Sequence, residues 1–173
     1  GLSGIVSADV SLNIPDFRSP ERTFQLITQA AGRAGRGDSQ GHVVIQTYSP
    51  EHYAVTFASQ HDYKGFFETE KQLRAYMGYP PYSDLFQIVF TAKREDAAKD
   101  GAESWYERIR GRMAREDQEM VFPPQQAYLG KIKDIYRYSM LIKCPQGRRA
   151  EYSRIVAAVR EEDIEKKKKD YTA

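Results

Sequence analysis

The densest group of side chains able to do chemistry is Gln29-Ala30-Ala31-Gly32-Arg33-Ala34-Gly35-Arg36. Arginine stays charged at physiological pH, and its planar fork grips two phosphate oxygens at once. Arg33 and Arg36 lie three apart at the end of a helical pattern, so both can reach one phosphate group, with Gln29 one turn earlier on that side. Gly32 and Gly35 remove bulk where a ligand or another backbone would approach. The order Gly32, Gly35, Gly37 is wrong for a dinucleotide-binding G-x-G-x-x-G loop, and it follows a helix instead of opening one. The structural alternative is a helix end with two solvated arginines, and in isolation the segment reads that way.

A second group interleaves bases and aromatics: Tyr128, Lys131, Lys133, Tyr136, Arg137, Tyr138 and Lys143. On a hairpin they could stack bases and follow a phosphate backbone. Equally, one tyrosine face could be core and the lysines ordinary edge-strand charges; the residues leave both readings open. His42, His52 and His61 have no companion ligands for a metal. Trp105 fits an apolar helix stripe. Arg108, Arg110, Arg112 and Arg115 are surrounded by acids, so a solvated face is the default. Lys166–Lys169 is a basic run that could grip DNA or fray.

The elements that must position these residues follow from spacing. Leu2 to Ala8 suits a buried strand delivering Asp9 at its end, followed by an irregular stretch, Val10 to Arg18. Ser19-Pro20-Glu21 is a helix start, with Phe24, Ile27, Ala31 and Ala34 at helical spacing. His42 to Tyr48 reads as a strand, and Ser49-Pro50-Glu51 opens a helix of roughly ten residues. A third helix spans Tyr63 to Met77, and Gly78-Tyr79-Pro80-Pro81 stops it. Beyond lie a strand, Leu85 to Thr91, and a long helix, Arg94 to about Glu116. A hairpin from Ala127 to Cys144 and a helix from Arg149 to Arg160 complete the pattern. The chain is thus α/β (β-loop-α-β-α), then α+β (β-α-β-β-α), the latter five elements of a six-element ferredoxin-like sandwich whose last strand would begin at Tyr171.

With 40% hydrophobic, 29% charged and 12% aromatic residues, the composition is that of a globular protein. One cysteine, Cys144, excludes a disulfide framework and a cysteine-built zinc site within the chain. No apolar run approaches the ~20 residues that span a bilayer, and no signal peptide is evident. Gly1 opens directly into an apolar stretch without an initiator Met, which reads as a cut end. The net charge of +2 is unevenly spread. Residues 128–173 carry twelve basic and seven acidic side chains, compatible with nucleic-acid contact or with a solvated face plus a lysine tail.

Context changes the reading of the arginine segment. Ala8-Asp9, Pro15-Asp16-Phe17-Arg18, Glu21-Arg22 and then Gln29 to Arg36 closely resemble the PriA-type primosomal helicases, which restart stalled replication. Gln46 to His52, the Glu70, Arg74 and Pro80-Pro81-Tyr82 positions, and Lys131 to Lys143 continue the resemblance over nearly the whole chain. It implies residues 1–60 as the tail of the second RecA-like helicase lobe, 61–78 as a connecting helix and 79–173 as a C-terminal domain with its last strand truncated. It further implies that Arg33 and Arg36 contact the γ-phosphate of ATP, with Gln29, Gly32 and Gly35 beside the nucleotide. Lys131, Lys133, Tyr136, Arg137 and Lys143 would bind DNA. ATP and magnesium would serve the intact parent, and zinc would belong to a part of it outside this chain. The implied partners are single-stranded or forked DNA, single-strand-binding protein and other primosome proteins, in the bacterial cytoplasm near the nucleoid. The alternative is a non-catalytic module that docks single-strand-binding protein or primosome partners. Without a phosphate-cradling loop or an acidic magnesium box, the chain alone is expected neither to hydrolyse ATP nor to unwind DNA. Exposed edges of the partial lobe make self-association an expectation.

Overall fold

Phe24, Ile27 and Ala34 do fall on one buried side of a helix, α2, which runs Ser19–Ala34. The computed structural model describes residues 2–5, 7–34, 42–165 and 171–173 of the chain. It is a mixed α/β structure with two small sheets, divided into units Gly1–Tyr76 and Met77–Ala173.

In the first unit β1 (Leu2–Ile5) pairs in parallel with β2 (His42–Ile45). Between them lies a short helix, α1 (Asp9–Leu12), where the sequence had suggested irregular chain. Ser19 was expected to cap α2 from outside, yet its hydroxyl donates back to the Ile14 carbonyl at 2.6 Å and ties down the preceding loop. The β2 strand is shorter than the expected 42–48 because Thr47 and Tyr48 turn aside to bind Asp9. His52, not Ser49, caps α3 (Tyr53–Ser59): its Nδ1 accepts from the Ala54 N–H at 3.2 Å. The fourth helix, α4, spans Tyr63–Met77 as read. Phe24 stacks on Phe66 with ring centroids 4.3 Å apart, and Ile27, Val55 and Ala58 close the core. Each fully buried Phe or Ile is worth about 1.5–3 kcal/mol in removal from water.

In the second unit an antiparallel sheet runs in the order β3-β5-β4. Its strands are β3 (Ser83–Ala92), β4 (Gln125–Ile132) and β5 (Ile135–Pro145). The β4–β5 turn is two residues, Lys133 and Asp134, both at positive φ (48° and 61°), the geometry that matches strand twist. Helix α5 (Glu95–Arg110) stops well short of Glu116: the Gly111 N–H makes the last bond four residues back, to Glu107, after which Arg112 and Met113 bond only three residues back, to Ile109 and Arg110. Met113 nonetheless stays buried from the turn that follows. A 3-10 segment (Arg115–Met120) leads to β4, and α6 (Arg149–Glu165) outlasts its expected end at Arg160. Alternate residues of β3 and β5 (Phe90, Met140, Ile142, Cys144) pack with Trp105, Ile109 and Val159 of the helices. On the outer side of β3, Thr91 exchanges two backbone hydrogen bonds with Thr172, 2.7 and 2.8 Å.

Candidate functional site

The first candidate surface is the solvent-facing side of α2. Gln29 and Arg33, one turn apart, are both exposed, and so is Gly32 between them. Among the described residues, a Cβ built on Gly32 would meet nothing within 4 Å. Glycine inside a helix costs about 1 kcal/mol relative to alanine, and none of the described residues requires it there. The Arg33 guanidinium makes no hydrogen bond or ion pair among the described residues. The structure thus brings Gln29, Gly32 and Arg33 together on open surface with an uncommitted cation. Gly35 and Arg36 lie outside the described residues.

The opposite end of α2 is held by a polar cluster that the sequence did not announce. Glu70 of α4, only 7% exposed, accepts from Arg74 Nε at 2.7 Å and from the Tyr53 hydroxyl. Arg74 also donates to Glu21 of α2 at 2.9 Å, and its guanidinium lies 5.1 Å from the centre of the Phe17 ring. Arg18 stacks on the same ring, at 4.6 Å. Burial and the Glu70 carboxylate both push the Tyr53 phenol pKa up. The Glu70–Arg74 spacing of four was the one visible hint of this cluster.

The second candidate surface is the β4–β5 hairpin, and strand alternation divides its five basic and aromatic candidates between two sides. Lys131 sits with its ammonium 4.8 Å from the Tyr136 ring centre, on the side that carries Tyr138, whose hydroxyl donates to Glu95 of α5 at 3.2 Å. Lys131 also pairs with Asp134 at 3.0 Å, which raises its pKa. Arg137 and Lys143, at odd positions of β5, point to the sheet's other side. Lys143 is occupied there: it donates to the Met77 carbonyl at 2.6 Å and lies over the rings of Tyr79 (4.3 Å) and Phe122 (5.2 Å). Burial lowers its pKa. Lys133 stands exposed at the turn, and neither it nor Arg137 makes a hydrogen bond or ion pair among the described residues. A four-residue bulge, 127–130, interrupts β4 opposite Arg137 and leaves Tyr128 and Leu129 more than half exposed.

The helical arginines are less solvated than their surroundings suggested. Arg108 donates to Glu162 at 2.7 Å and to the Val159 carbonyl at 2.9 Å, and it pairs with Asp163; Arg112 pairs with Glu162. Trp105 is core, its ring edge-on to Phe90 and its Nε1–H donated to Asp163. Among the described residues no three His, Cys, Asp or Glu side chains gather as metal ligands, and no helix is long and apolar enough to cross a membrane.

These features define a two-unit mixed α/β protein that presents one open arginine-bearing helix and one basic hairpin. Residues 75–172 match the family model described as the primosomal protein N C-terminal domain. The chain is 41% identical over 147 residues to the replication restart protein PriA of Bacillus subtilis, covering 84% of this chain and 18% of that protein. It is 37% identical over 143 residues to the PriA of Thermotoga maritima (83% and 18%) and 34% over 138 to that of Borreliella burgdorferi (80% and 21%). The chain belongs to the PriA replication-restart family. It spans 18–21% of the length of these relatives.

Proposed function

We propose that this chain is a part of an ATP-driven replication-restart helicase that lends arginines to the nucleotide site and carries a surface for DNA. The observation behind this is the exposed cluster of Gln29, Gly32 and Arg33 on α2, its guanidinium uncommitted and the space over Gly32 unfilled among the described residues. A phosphate fits that donor set: a fixed positive fork, a carboxamide one turn away, and no side chain at Gly32 to block approach. ATP bound with magnesium to the rest of such a protein would supply the phosphoryl group. Arg33 and Arg36 would hold negative charge on it. Zinc would belong to another part of the parent.

In this reading residues 1–60 are the end of a RecA-like lobe, 61–78 a connecting helix and 79–173 a ferredoxin-like domain. The parallel β1–β2 pair supports the first assignment. The antiparallel order β3-β5-β4, with Thr172 on the free edge of β3, supports the last. Such a protein would act in the bacterial cytoplasm on single-stranded or forked DNA. Self-association through the open edges of the β1–β2 pair belongs to the same reading, and the 59% exposure of Val44 supports it.

A second reading is favoured by Tyr128 and Leu129 on the bulged β4 edge: an apolar dock for single-strand-binding protein or primosome partners. Fluorescence anisotropy of labelled single-stranded DNA at several salt concentrations separates the two. With Lys143 sequestered and Lys131 paired, Lys133 and Arg137 are the hairpin's two unpaired cations among the described residues, and affinity should fall with a log–log salt slope of about −1.4 rather than the about −2.8 of all four basic candidates. No binding at low salt would remove DNA from this surface and leave the docking reading.

A further inference from the structure

The antiparallel sheet of the second unit buries one face under its helices and turns the other away from them. Phe90, Met140, Ile142 and Cys144 pack with Trp105, Ile109 and Val159, and alternation sends the residues between them to the opposite face. There Leu85 lies opposite Lys143, Gln87 opposite Leu141, Val89 opposite Ser139 and Thr91 opposite Arg137. Gln125 of β4 pairs with Ser139 on the same face. Val121, a core residue, bridges Ile142; the next residue, Phe122, donates its N–H to the Leu141 carbonyl at 2.9 Å and so falls on the open face. No carboxylate stands at any of these positions. Leu85, Val89 and Leu141 belong to neither hydrophobic core. The side chains of Gln87, Thr91, Ser139 and Gln125 make no hydrogen bond among the described residues, and Arg137 has neither hydrogen bond nor ion pair there. At the other end Lys143 is committed between the Tyr79 and Phe122 rings, and Phe122 keeps 39% of its surface exposed.

We propose that this face is a platform for the bases of single-stranded DNA, on which Phe122 stacks a base and Arg137 holds a phosphate. It rests on the DNA reading of the hairpin and adds to it the surface that the bases touch. Unpaired bases have flat apolar faces and polar edges. The aliphatic ground of Leu85, Val89 and Leu141, with the Phe122 ring, takes the faces, and the uncommitted amides and hydroxyls take the edges. A face without carboxylates, with a free guanidinium at one end, suits a polyanion. A duplex keeps its bases stacked inside and would meet this face with its phosphates alone, so the platform selects single strands.

The test compares the full chain with its Gln87→Glu variant by fluorescence anisotropy of labelled oligothymidylate at about 0.15 M salt. Gln87 is exposed and the change is nearly isosteric, so the thermal midpoint should stay as it was. Opposite Leu141, the new charge lies about 13 Å along the strand from Arg137, beyond the ~8 Å Debye length at that salt. A phosphate grip by the hairpin alone would not feel it. Binding across the face should lose at least about tenfold in affinity, because the polyanion meets a like charge. A strand of the same length with abasic sites in place of its bases should bind the wild-type chain about tenfold or more weakly, the worth of one or two stacked bases. Equal binding of the two strands, or an affinity unchanged by Gln87→Glu, would overturn the platform and leave the hairpin's phosphate contacts standing. Tighter binding of an oligo-aspartate peptide than of oligothymidylate would assign the face to an acidic protein segment and overturn the proposal as well. No binding of either strand at low salt would remove the platform together with the DNA reading beneath it.

Discussion

Asp9 accepts the backbone N–H of Tyr48, at 3.1 Å, through a carboxylate that is nearly buried. The same carboxylate takes the Thr47 hydroxyl at 2.9 Å. One side chain at the start of α1 thus fixes the turn that ends β2. Asp9→Ala would leave that N–H and hydroxyl without their acceptor, and should destabilise the chain by about 1–3 kcal/mol. Asp9→Asn, which keeps one acceptor oxygen, should lose less. Urea unfolding of the three proteins ranks them; an unperturbed Asp9→Ala would mean that water satisfies the turn.

Arg74→Met should destabilise the chain by about 2 kcal/mol, because it strands the buried Glu70 carboxylate. The Tyr53 hydroxyl softens the loss by keeping one hydrogen bond to Glu70. Adding Glu70→Gln to Arg74→Met should recover part of the loss, since a neutral amide is cheaper to leave in that place. A double-mutant cycle by denaturant unfolding measures the coupling. Strict additivity would show that the two residues do not act as a pair.

Local order was legible in the sequence, and long-range pairing was not. The ends of α4 could be read because Met77 is followed by Gly78 and two prolines. The hairpin was legible, but the place of its turn was not, since Lys133 and Asp134 take positive φ without the usual glycine. The end of α5 was overrun because a helical stripe continues to Met113, although the chain there is already a turn. α1 was missed: four residues are too few to show a period. The shared exposed side of Gln29, Gly32 and Arg33 followed from helical spacing alone. The fate of Lys143 did not, because its partners come from the 77–79 segment and Phe122. Trp105 and Asp163, 58 positions apart, meet only once α5 and α6 have packed.

Lys143 and Arg137 should separate stability from nucleic-acid contact. Lys143→Ala removes a half-buried ammonium from the Met77 carbonyl and from two rings, and should destabilise the chain by about 1–2 kcal/mol. The salt slope of any DNA binding should stay as it was. Arg137→Ala should leave stability within about 0.5 kcal/mol and reduce the slope by about 0.7. Thermal unfolding beside anisotropy at several salt concentrations checks both variants; a slope that changes for Lys143→Ala and not for Arg137→Ala would reverse the assignment.

His52 sets a pH dependence whose sign is fixed by its cap. Its Nδ1 must be unprotonated to accept the Ala54 N–H, and partial burial lowers the imidazole pKa below 6.5, with Glu70 opposing in part. The unfolded chain therefore takes up the proton first as pH falls. The contribution of His52 is complete above pH 6.5, declines as pH drops below that value, and levels off once the folded form is protonated too. His52→Ser keeps a capping oxygen and cannot titrate. Relative to the wild-type chain, its stability should hold steady between about pH 7 and 5, while the wild type weakens over the same interval. Thermal midpoints of both proteins across that range provide the check: parallel curves would assign the acid sensitivity of the first unit to groups other than this cap.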